Sequence, residues 1–352
     1  MLEAIFDKST GTDRDYTVEY NGILVLCQHS EKKISNVVFE LLGEGRRLAA
    51  ILNTKVISLI IGSNVDKLAQ QLIAYGADIV YVADYPELKH HNDEIYGDIL
   101  YDAICKCRPE IVLIGATTYG RAIAPKVASR LNTGLTADCI KLDIDCEKRL
   151  LQQTRPAFGG QLMATVICEK KKPQMATIRP KVMASLEPDC SRKGNIIKLQ
   201  VTVPKNPKIK MVDITEFQSE MENLSEADII VAFGRGLCEA RNTELIKNLA
   251  DVLGASVGAS RAAVDSGWIG YEHQIGQSGI TVKPKIYFAC GISGSVQHLA
   301  GMASSDIIIA INTDPNAPIF KIANYGIVGD IREIIPAMIN KLEEVRRKYA
   351  GA

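Results

Sequence analysis

Histidine and cysteine are the side chains best suited to acid–base, nucleophilic and metal chemistry, and neither is spaced for it in this sequence. Of five histidines, His90 and His91 are adjacent in a polar loop that reads as solvated. His29 follows an apolar run with no evident partner, and His273 lies in a polar stretch. Only His298, just inside a helical pattern, falls where a ligand could be faced. The nine cysteines, at 27, 105, 107, 139, 146, 168, 190, 238 and 290, contain no C-x-x-C pair. An iron–sulfur site, a zinc site and a disulfide framework therefore have no sequence support. Several cysteines sit in apolar runs such as ILVLC and IYFAC, where a free thiol behaves as a small hydrophobe. There is no hydrolytic constellation, no Walker A loop and no G-x-G-x-x-G. Gly234-x-Gly236 has Glu239 where the third glycine would stand, and Gly43-x-Gly45 lies in a helical pattern and reads as structural.

What remains is a pattern of small residues at the ends of strands. Five apolar runs in the second half are each followed by glycine or a short polar side chain. Gly234-Arg235-Gly236 follows AF, Gly258-Ala259-Ser260-Arg261 follows SV, and Gly291-Ile292-Ser293-Gly294-Ser295 follows FAC. Asn312-Thr313-Asp314-Pro315 follows AI, and Gly329-Asp330 follows GIV. Glycine lets a ligand approach the backbone closely, and helix N-termini favour phosphate. One such end serves a turn equally well. Five together point to a long ligand lying across a sheet edge, such as a dinucleotide, because ligands of open parallel sheets bind outside the carboxyl ends of the strands.

The elements that must position these residues alternate between strand and helix. In the first half, GILVLC (22–27), VISLIIG (56–62), DIVYVA (78–83) and EIVLIGA (110–116) are continuous apolar runs, which read as strands buried on both faces. Amphipathic stretches at 35–53, 64–76, 92–107 and 120–132 read as helices between them, with Ser35, Asn64 and Asn92 as N-caps. After Leu131 the texture changes. TADCIKLDID, LLQQTRPA, MATVICEK and PQMATIRP are β-type segments without intervening helices, expected as antiparallel additions. Residues 184–210, with Pro188, Pro204, Pro207 and one strand-like stretch, IIKLQVTV, read as a boundary. From Asp228 a second alternation runs to a long C-terminal helix, in which Pro336 marks either a kink or a later start. The fold class is α/β, with two doubly wound, mostly parallel-sheet domains.

Composition agrees. At 352 residues the chain exceeds one hydrophobic core. Lys plus Arg and Asp plus Glu both number 41, so no general attraction to nucleic acid or acidic membrane follows. The charged N-terminus carries no signal-peptide core, and no run is long and apolar enough to insert into a membrane, so a cytoplasmic location is expected.

Residues 234–330 closely resemble the FAD domain of the electron transfer flavoprotein α-subunit family. The resemblance rests on GRGL (234–237), VGASRAAVDSGW (257–268), QIGQSG (274–279), GISGSVQHLAGM (291–302), AINTDPNAPIF (310–320) and ANYGIVGD (323–330). The first domain resembles the family's N-terminal α/β domain more loosely. The division implied is an extension at 1–20, a scaffold domain at 21–205 without a phosphate loop, and a Rossmann-like FAD-binding domain with its terminal helix at 206–352. The resemblance implies FAD as cofactor. Arg235 and Gly236 would lie at the pyrophosphate, with Ser260 near phosphate and Arg261 near the isoalloxazine. Gln274, Ile275, Gly276, Gln277, Ser278 and Gly279 would line the ring, with the Ser278 hydroxyl near N5. Gly291, Ser293, Gly294, Ser295, Val296, Gln297 and His298 would run from the phosphates to the pyrimidine side, with His298 near O2. Asn312, Asp330 and Ile331 would hold the ribose and adenine end. Many family members carry Thr at the place of Ser278, so the hydroxyl is kept and a methyl lost. Arg261, Ser278 and His298 are the flavin-tuning set, since reduction puts negative charge on the N1–O2 side, where a guanidinium and an imidazole stabilise it.

The family works as a heterodimer with a β-subunit that supplies a third domain and a second nucleotide site, filled by AMP in most relatives and by a second FAD in relatives from anaerobes. The stretch 133–180 looks more like the anaerobe type. That implies NADH as donor, and ferredoxin or flavodoxin together with an acyl-CoA or other flavin dehydrogenase as acceptors, in an electron-bifurcating complex. The alternatives are a simple carrier from acyl-CoA dehydrogenases to a quinone reductase, and a non-redox adenine-nucleotide-binding protein. A nicotinamide dehydrogenase is disfavoured by the missing glycine fingerprint.

Overall fold

A computed structural model of the chain describes residues 20–30, 33–157, 162–203, 208–209, 212 and 224–350. All of the extension read at 1–20 except Tyr20 lies outside them. The chain divides into two compact units, Met1–Pro156 with Met163–Asp213 and Ala157–Leu162 with Ile214–Ala352. The α/β class with two large parallel sheets is the one the alternation predicts.

In chain order the first unit holds β1 (Ile23–Cys27), the short hairpin β2 (His29–Ser30) and β3 (Lys33–Ile34), α1 (Asn36–Leu52), β4 (Val56–Gly62), α2 (Asp66–Ala74) and β5 (Ile79–Asp84). It continues with α3 (Asp93–Cys107), β6 (Ile111–Gly115), α4 (Thr118–Arg130), β7 (Leu135–Cys139), β8 (Lys141–Asp145), β9 (Leu150–Ala157), β10 (Leu162–Val166), β11 (Gln174–Ile178) and β12 (Asn195–Lys198). Seven strands form a sheet in the order β12-β5-β4-β1-β6-β11-β7, with every pairing parallel. The chain winds from β1 outward to β4 and β5, then returns to β6 on the other side, so the winding reverses between β1 and β6. Alternate residues of β1 enter different cores: Ile23 and Val25 pack with Leu41 and Ile60, whereas Leu24 and Leu26 pack with Leu100 and Ile123.

Two expectations are corrected here. TADC and QMATI are not antiparallel additions; as β7 and β11 they complete the parallel sheet. QMATI is buried at every residue, which suits a sheet covered on both faces, whereas KLDID alternates exposed and buried and joins β9 antiparallel in a separate three-stranded sheet with β10. The boundary stretch carries an edge strand in its middle, where IIKLQVTV was read as strand-like, since β12 pairs with β5, and Tyr85 then clips the chain by donating to the Leu199 carbonyl (3.0 Å) and accepting from the Val201 amide (3.1 Å).

The helix starts follow capping chemistry unevenly. Asn92 caps α3 as expected, its Oδ1 accepting from the Glu94 and Ile95 amides. Ser35 holds the N-cap of α1 by position, without a side-chain bond. Asn64 is not the cap of α2: Val65 is. The Asp84 carboxylate, from the end of β5, accepts from the amides of Asn64 (2.6 Å), Val65 (3.0 Å) and Asp66 (3.2 Å) instead. Gly43 is structural as expected, because a Cβ there would stand 2.4 Å from the Ala184 carbonyl oxygen. At the amino end of β6 Glu110 is fully buried between Arg149 (2.6 Å) and Lys172 (2.5 Å). Burial pushes its carboxyl up, and the hydrogen bonds of those two cations outweigh it and hold the group below the usual carboxylate range.

The second unit holds β13 (Ile229–Phe233), α5 (Thr243–Leu253), β14 (Ser256–Ser260), α6 (Arg261–Asp265), β15 (Gln274–Ile275), β16 (Ile286–Cys290), α7 (Val296–Met302), β17 (Ile307–Asn312), β18 (Tyr325–Val328) and α8 (Ile331–Ala350). Its six strands run in the order β15-β14-β13-β16-β17-β18, all parallel. The chain winds from β13 to β14 and β15, then returns to β16 on the other side, placing the reversal between β13 and β16. The strand β15 has no counterpart in the sequence reading. Gly258 is also corrected: it lies inside β14 rather than in the turn after it, packed against Ile275 of β15. The last helix begins at Ile331 and runs through Pro336. Among the described residues no helix is long and apolar enough to cross a membrane.

Candidate functional site

At the reversal point of the second sheet, two backbones touch. The Gly234 amide donates to the Cys290 carbonyl (3.0 Å), and the Gly236 amide to the Gly291 carbonyl (3.0 Å). A Cβ on Gly236 would stand 2.7 Å from the Gly291 Cα, so any side chain there would push the loops apart. Gly291 and Gly294 adopt φ of +62° and +87°, open to glycine at little cost. The edge is thereby lined with main chain, while Arg235, Ser293, Ser295, Val296 and Gln297 are exposed above it.

Two helices starting at this edge are left without side-chain caps. Ser260 precedes α6 and Ser295 precedes α7, and neither hydroxyl accepts a first-turn amide, whereas Asn92 and Thr117 do so for α3 and α4. Arg261, the first residue of α6, is 69% exposed and held only loosely by Asp265 at 3.3 Å. The loop after β15 is drawn tight: the Gly279 amide donates to the Gly276 carbonyl, that of Ile280 to Gln274, and that of Gln277 to Gln297 at the start of α7. Ser278 is exposed at its tip. The Tyr271 hydroxyl donates to its carbonyl (2.7 Å), and the Gln274 amide Nε2 to its Oγ (3.1 Å).

Sheet order sets these groups in a line. Arg261 and Ser278 lie at the β14–β15 side, Arg235 and Gly291–Ser295 at the centre, and Asn312 and Asp330 at the β17–β18 side. The glycines at the centre let the two loops pack backbone to backbone, which leaves main chain along the edge, and the flanking cations match a phosphate-bearing ligand. The residues present therefore fit an extended, phosphate-bearing ligand such as a dinucleotide.

Several assigned side chains turn away from such a ligand. Gln274 and Ile275 are buried, 3% and 1% exposed, and their carbonyls are taken within the protein, by the Ile280 amide and by His298 Nδ1. Ile331 is buried in the core beside Phe233 and Ile335. Asn312 uses its amide within the protein, donating to the Ile292 carbonyl (3.0 Å) and accepting from the Asp314 amide (3.0 Å). Asp330 is engaged by Arg332 through both its backbone amide and its guanidinium, which hold its carboxyl down at about 2.

His298 is the chief revision. Its Nδ1 faces the Ile275 carbonyl (3.1 Å) and its Nε2 the Tyr287 hydroxyl (3.0 Å). A carbonyl only accepts, so Nδ1 carries the proton and Nε2 accepts from Tyr287. Burial drives its pKa down to about 4. The imidazole is neutral and committed on both nitrogens, and the positive charge at this edge comes from Arg261 and Arg235. Sequence reasoning missed Tyr287 because it is hidden inside the apolar run IYFAC, and Tyr271 and Arg332 because their types and spacing do not show which nearby carbonyl or carboxylate the local turn brings to them.

Of the other histidines, His90 is exposed as expected, and the remaining three differ from expectation. His29 Nε2 donates to the Ile61 carbonyl (2.8 Å), and His273, buried, reaches the Val257 carbonyl (2.7 Å). His91 is not solvated: it bonds Asp93 (2.7 Å) and packs on Tyr96 and Tyr119 beside a cavity of about 300 Å³. Burial, only partly offset by Asp93, lowers its pKa. At the first unit's own reversal point the buried Gln28 spans the gap. Its Nε2 donates to the Gly115 carbonyl (3.0 Å), and its Oε1 accepts from the Thr117 hydroxyl (2.8 Å).

Comparisons with known proteins bear on both units. The electron transfer flavoprotein domain matches residues 23–204, and the electron transfer flavoprotein FAD-binding domain matches residues 223–303. The electron transfer flavoprotein subunit alpha of Thermoanaerobacterium thermosaccharolyticum is 49% identical, over 93% of this chain and 99% of its own length. The lactate dehydrogenase (NAD(+),ferredoxin) subunit LctC of Acetobacterium woodii is 44% identical, over 92% of this chain and 77% of its own. The acryloyl-CoA reductase electron transfer subunit beta of Anaerotignum propionicum is 42% identical, over 92% and 96%.

Proposed function

This chain belongs to the electron transfer flavoprotein α-subunit family, and on that premise we propose that its second unit holds one FAD across the carboxyl edge of the six-stranded sheet. The observation that carries this reading is the glycine-lined reversal point between β13 and β16, with Arg261 and Ser278 to one side and Asn312 and Asp330 to the other. The backbone at Gly236, Gly291 and Gly294 and the uncapped start of α7 would take the pyrophosphate, with Arg235 beside it. Arg261 and Ser278 would meet the ring, and the β17–β18 side the adenosine. Bound there, FAD supplies the one-electron redox chemistry. The protein's part is to orient the ring, to set a cation at its edge and to hold His298 neutral beneath it.

We further propose that the chain works in the cytoplasm with a β-subunit and a flavin dehydrogenase as part of a bifurcating complex, with NADH as donor and ferredoxin or flavodoxin as the second acceptor. The lactate dehydrogenase (NAD(+),ferredoxin) subunit of Acetobacterium woodii and the acryloyl-CoA reductase electron transfer subunit of Anaerotignum propionicum support this reading by their names. The test is co-expression with the β-subunit. Purified dimer should be yellow, with two flavins per dimer, and should reduce ferredoxin from NADH when the dehydrogenase and its acceptor are added. One flavin with AMP would reduce the role to that of a simple carrier. A colourless protein carrying adenine nucleotide alone would overturn the flavin reading.

A further inference from the structure

We propose that Gln274 is a positioning residue that fixes the direction of the Ser278 hydrogen bond, so that the hydroxyl is a donor toward the ligand. The inference rests on the FAD reading above and deepens it. Ser278 is exposed at the tip of a loop fixed by four backbone hydrogen bonds and by Tyr271 on its carbonyl. Gln274, four residues earlier, is buried beneath it and points its Nε2 at the Ser278 Oγ, 3.1 Å away. A carboxamide NH₂ can only donate, so Ser278 Oγ must accept on that side. The single hydroxyl hydrogen is left to be donated away from Gln274, on the exposed face.

Polarity matters because N5 of an oxidised flavin accepts a hydrogen bond and has no hydrogen to give. A hydroxyl free to rotate serves an N5 acceptor and an N5–H donor alike, whereas one receiving a fixed N–H presents its hydrogen first. Gln274 therefore biases the site toward the form of the ring with an unprotonated N5, without touching the ring itself. The choice of Gln at a position 3% exposed has this consequence: a carboxylate there would accept the Ser278 hydrogen and turn the oxygen lone pairs outward.

The test is the ¹⁵N resonance of N5 in oxidised, ¹⁵N-labelled FAD bound to the protein in its complex with the β-subunit, a readout independent of turnover. Ser278→Ala defines the resonance without the bond. Gln274→Glu, measured above pH 9 so that the carboxyl is ionised, should move N5 to the Ser278→Ala position. Gln274→Met, close in volume and unable to donate, should fall between that position and wild type. Flavin absorbance per dimer reports whether each variant has folded and loaded. If Ser278→Ala moves N5 and both Gln274 variants keep the wild-type resonance, the FAD placement stands and this inference fails alone. If Ser278→Ala leaves N5 where it was, the hydroxyl is not at N5, and the placement and the inference fall together.

Discussion

The two sheets of this molecule are wound alike and treat the same point oppositely. Each strand order starts near the middle, runs outward on one side and returns on the other, and in such sheets the reversal point is where ligands bind. In the first unit that point is closed by a side chain: Gln28 joins the Gly115 carbonyl to Thr117. The amides at the start of α2, which an anion would otherwise take, are given to Asp84. In the second unit the point is lined by Gly236 and Gly291 backbone, and α6 and α7 begin without side-chain caps. Whether a doubly wound sheet is a scaffold or a binding site thus depends on whether its own polar side chains satisfy the carboxyl edge.

The contrast can be broken most severely at Gly236. Gly236→Val forces a branched side chain against Gly291, 2.7 Å from the first added carbon. It should abolish flavin retention and destabilise the second unit by about 1–3 kcal/mol or more. In the first unit Gly120 is tighter still, with a Cβ 1.9 Å from the Gly115 carbonyl oxygen, yet Gly120→Val should lower stability while the folded fraction keeps its flavin. Flavin absorbance per folded protein, read beside thermal melts, separates the two. Equal flavin loss in both would remove the distinction between scaffold and site.

The next effect is one of pH. A buried imidazole held down to about 4, against an ordinary 6.5, corresponds to about 3 kcal/mol. The folded pKa is depressed, so the unfolded chain binds the extra proton. Stability is complete above about 6.5 and is lost as pH falls toward 4. The second unit should weaken over that window in wild type, and the contribution should vanish in His298→Gln. An unfolding free energy independent of pH there would show that the imidazole is not held neutral.

Arg261→Ala removes the cation proposed at the ring. A charge-assisted hydrogen bond contributes about 1.5–3 kcal/mol, which for one electron is roughly 65–130 mV, so the potential of the first reduction should fall by that amount. Arg235→Ala, at the centre of the edge, should weaken FAD retention with little change of potential. Redox titration of both variants with excess FAD decides; an unchanged potential in Arg261→Ala would reduce that residue to cofactor binding.

The smallest effect is expected at Gln28. Gln28→Leu leaves the buried Gly115 carbonyl without its donor, at a cost of about 1–3 kcal/mol, and should lower the first unit's stability without altering flavin content. A gain of bound nucleotide in that variant would show that Gln28 is the plug of a latent site.

Most of the elements and the chemistry of the edge were legible in the residues alone. Continuous apolar runs such as VISLIIG and EIVLIGA announced strands buried on both faces, and Asn92 announced the start of α3. The small residues after FAC, AF and AI marked the ligand edge of the second unit. These signals are local, carried by periodicity and backbone freedom within a few residues. Which strands are neighbours, and with that the line of Ser278, Arg235 and Asn312 across the sheet, came from the winding of the folded chain. The tertiary structure also decided that β7 and β11 join the parallel sheet, that Asp84 rather than Asn64 serves α2, and that His298 is neutral beneath Tyr287. Each of these depends on a partner brought near by the winding of the sheet, and the identity of one residue carries no record of which distant carbonyl or carboxylate will face it.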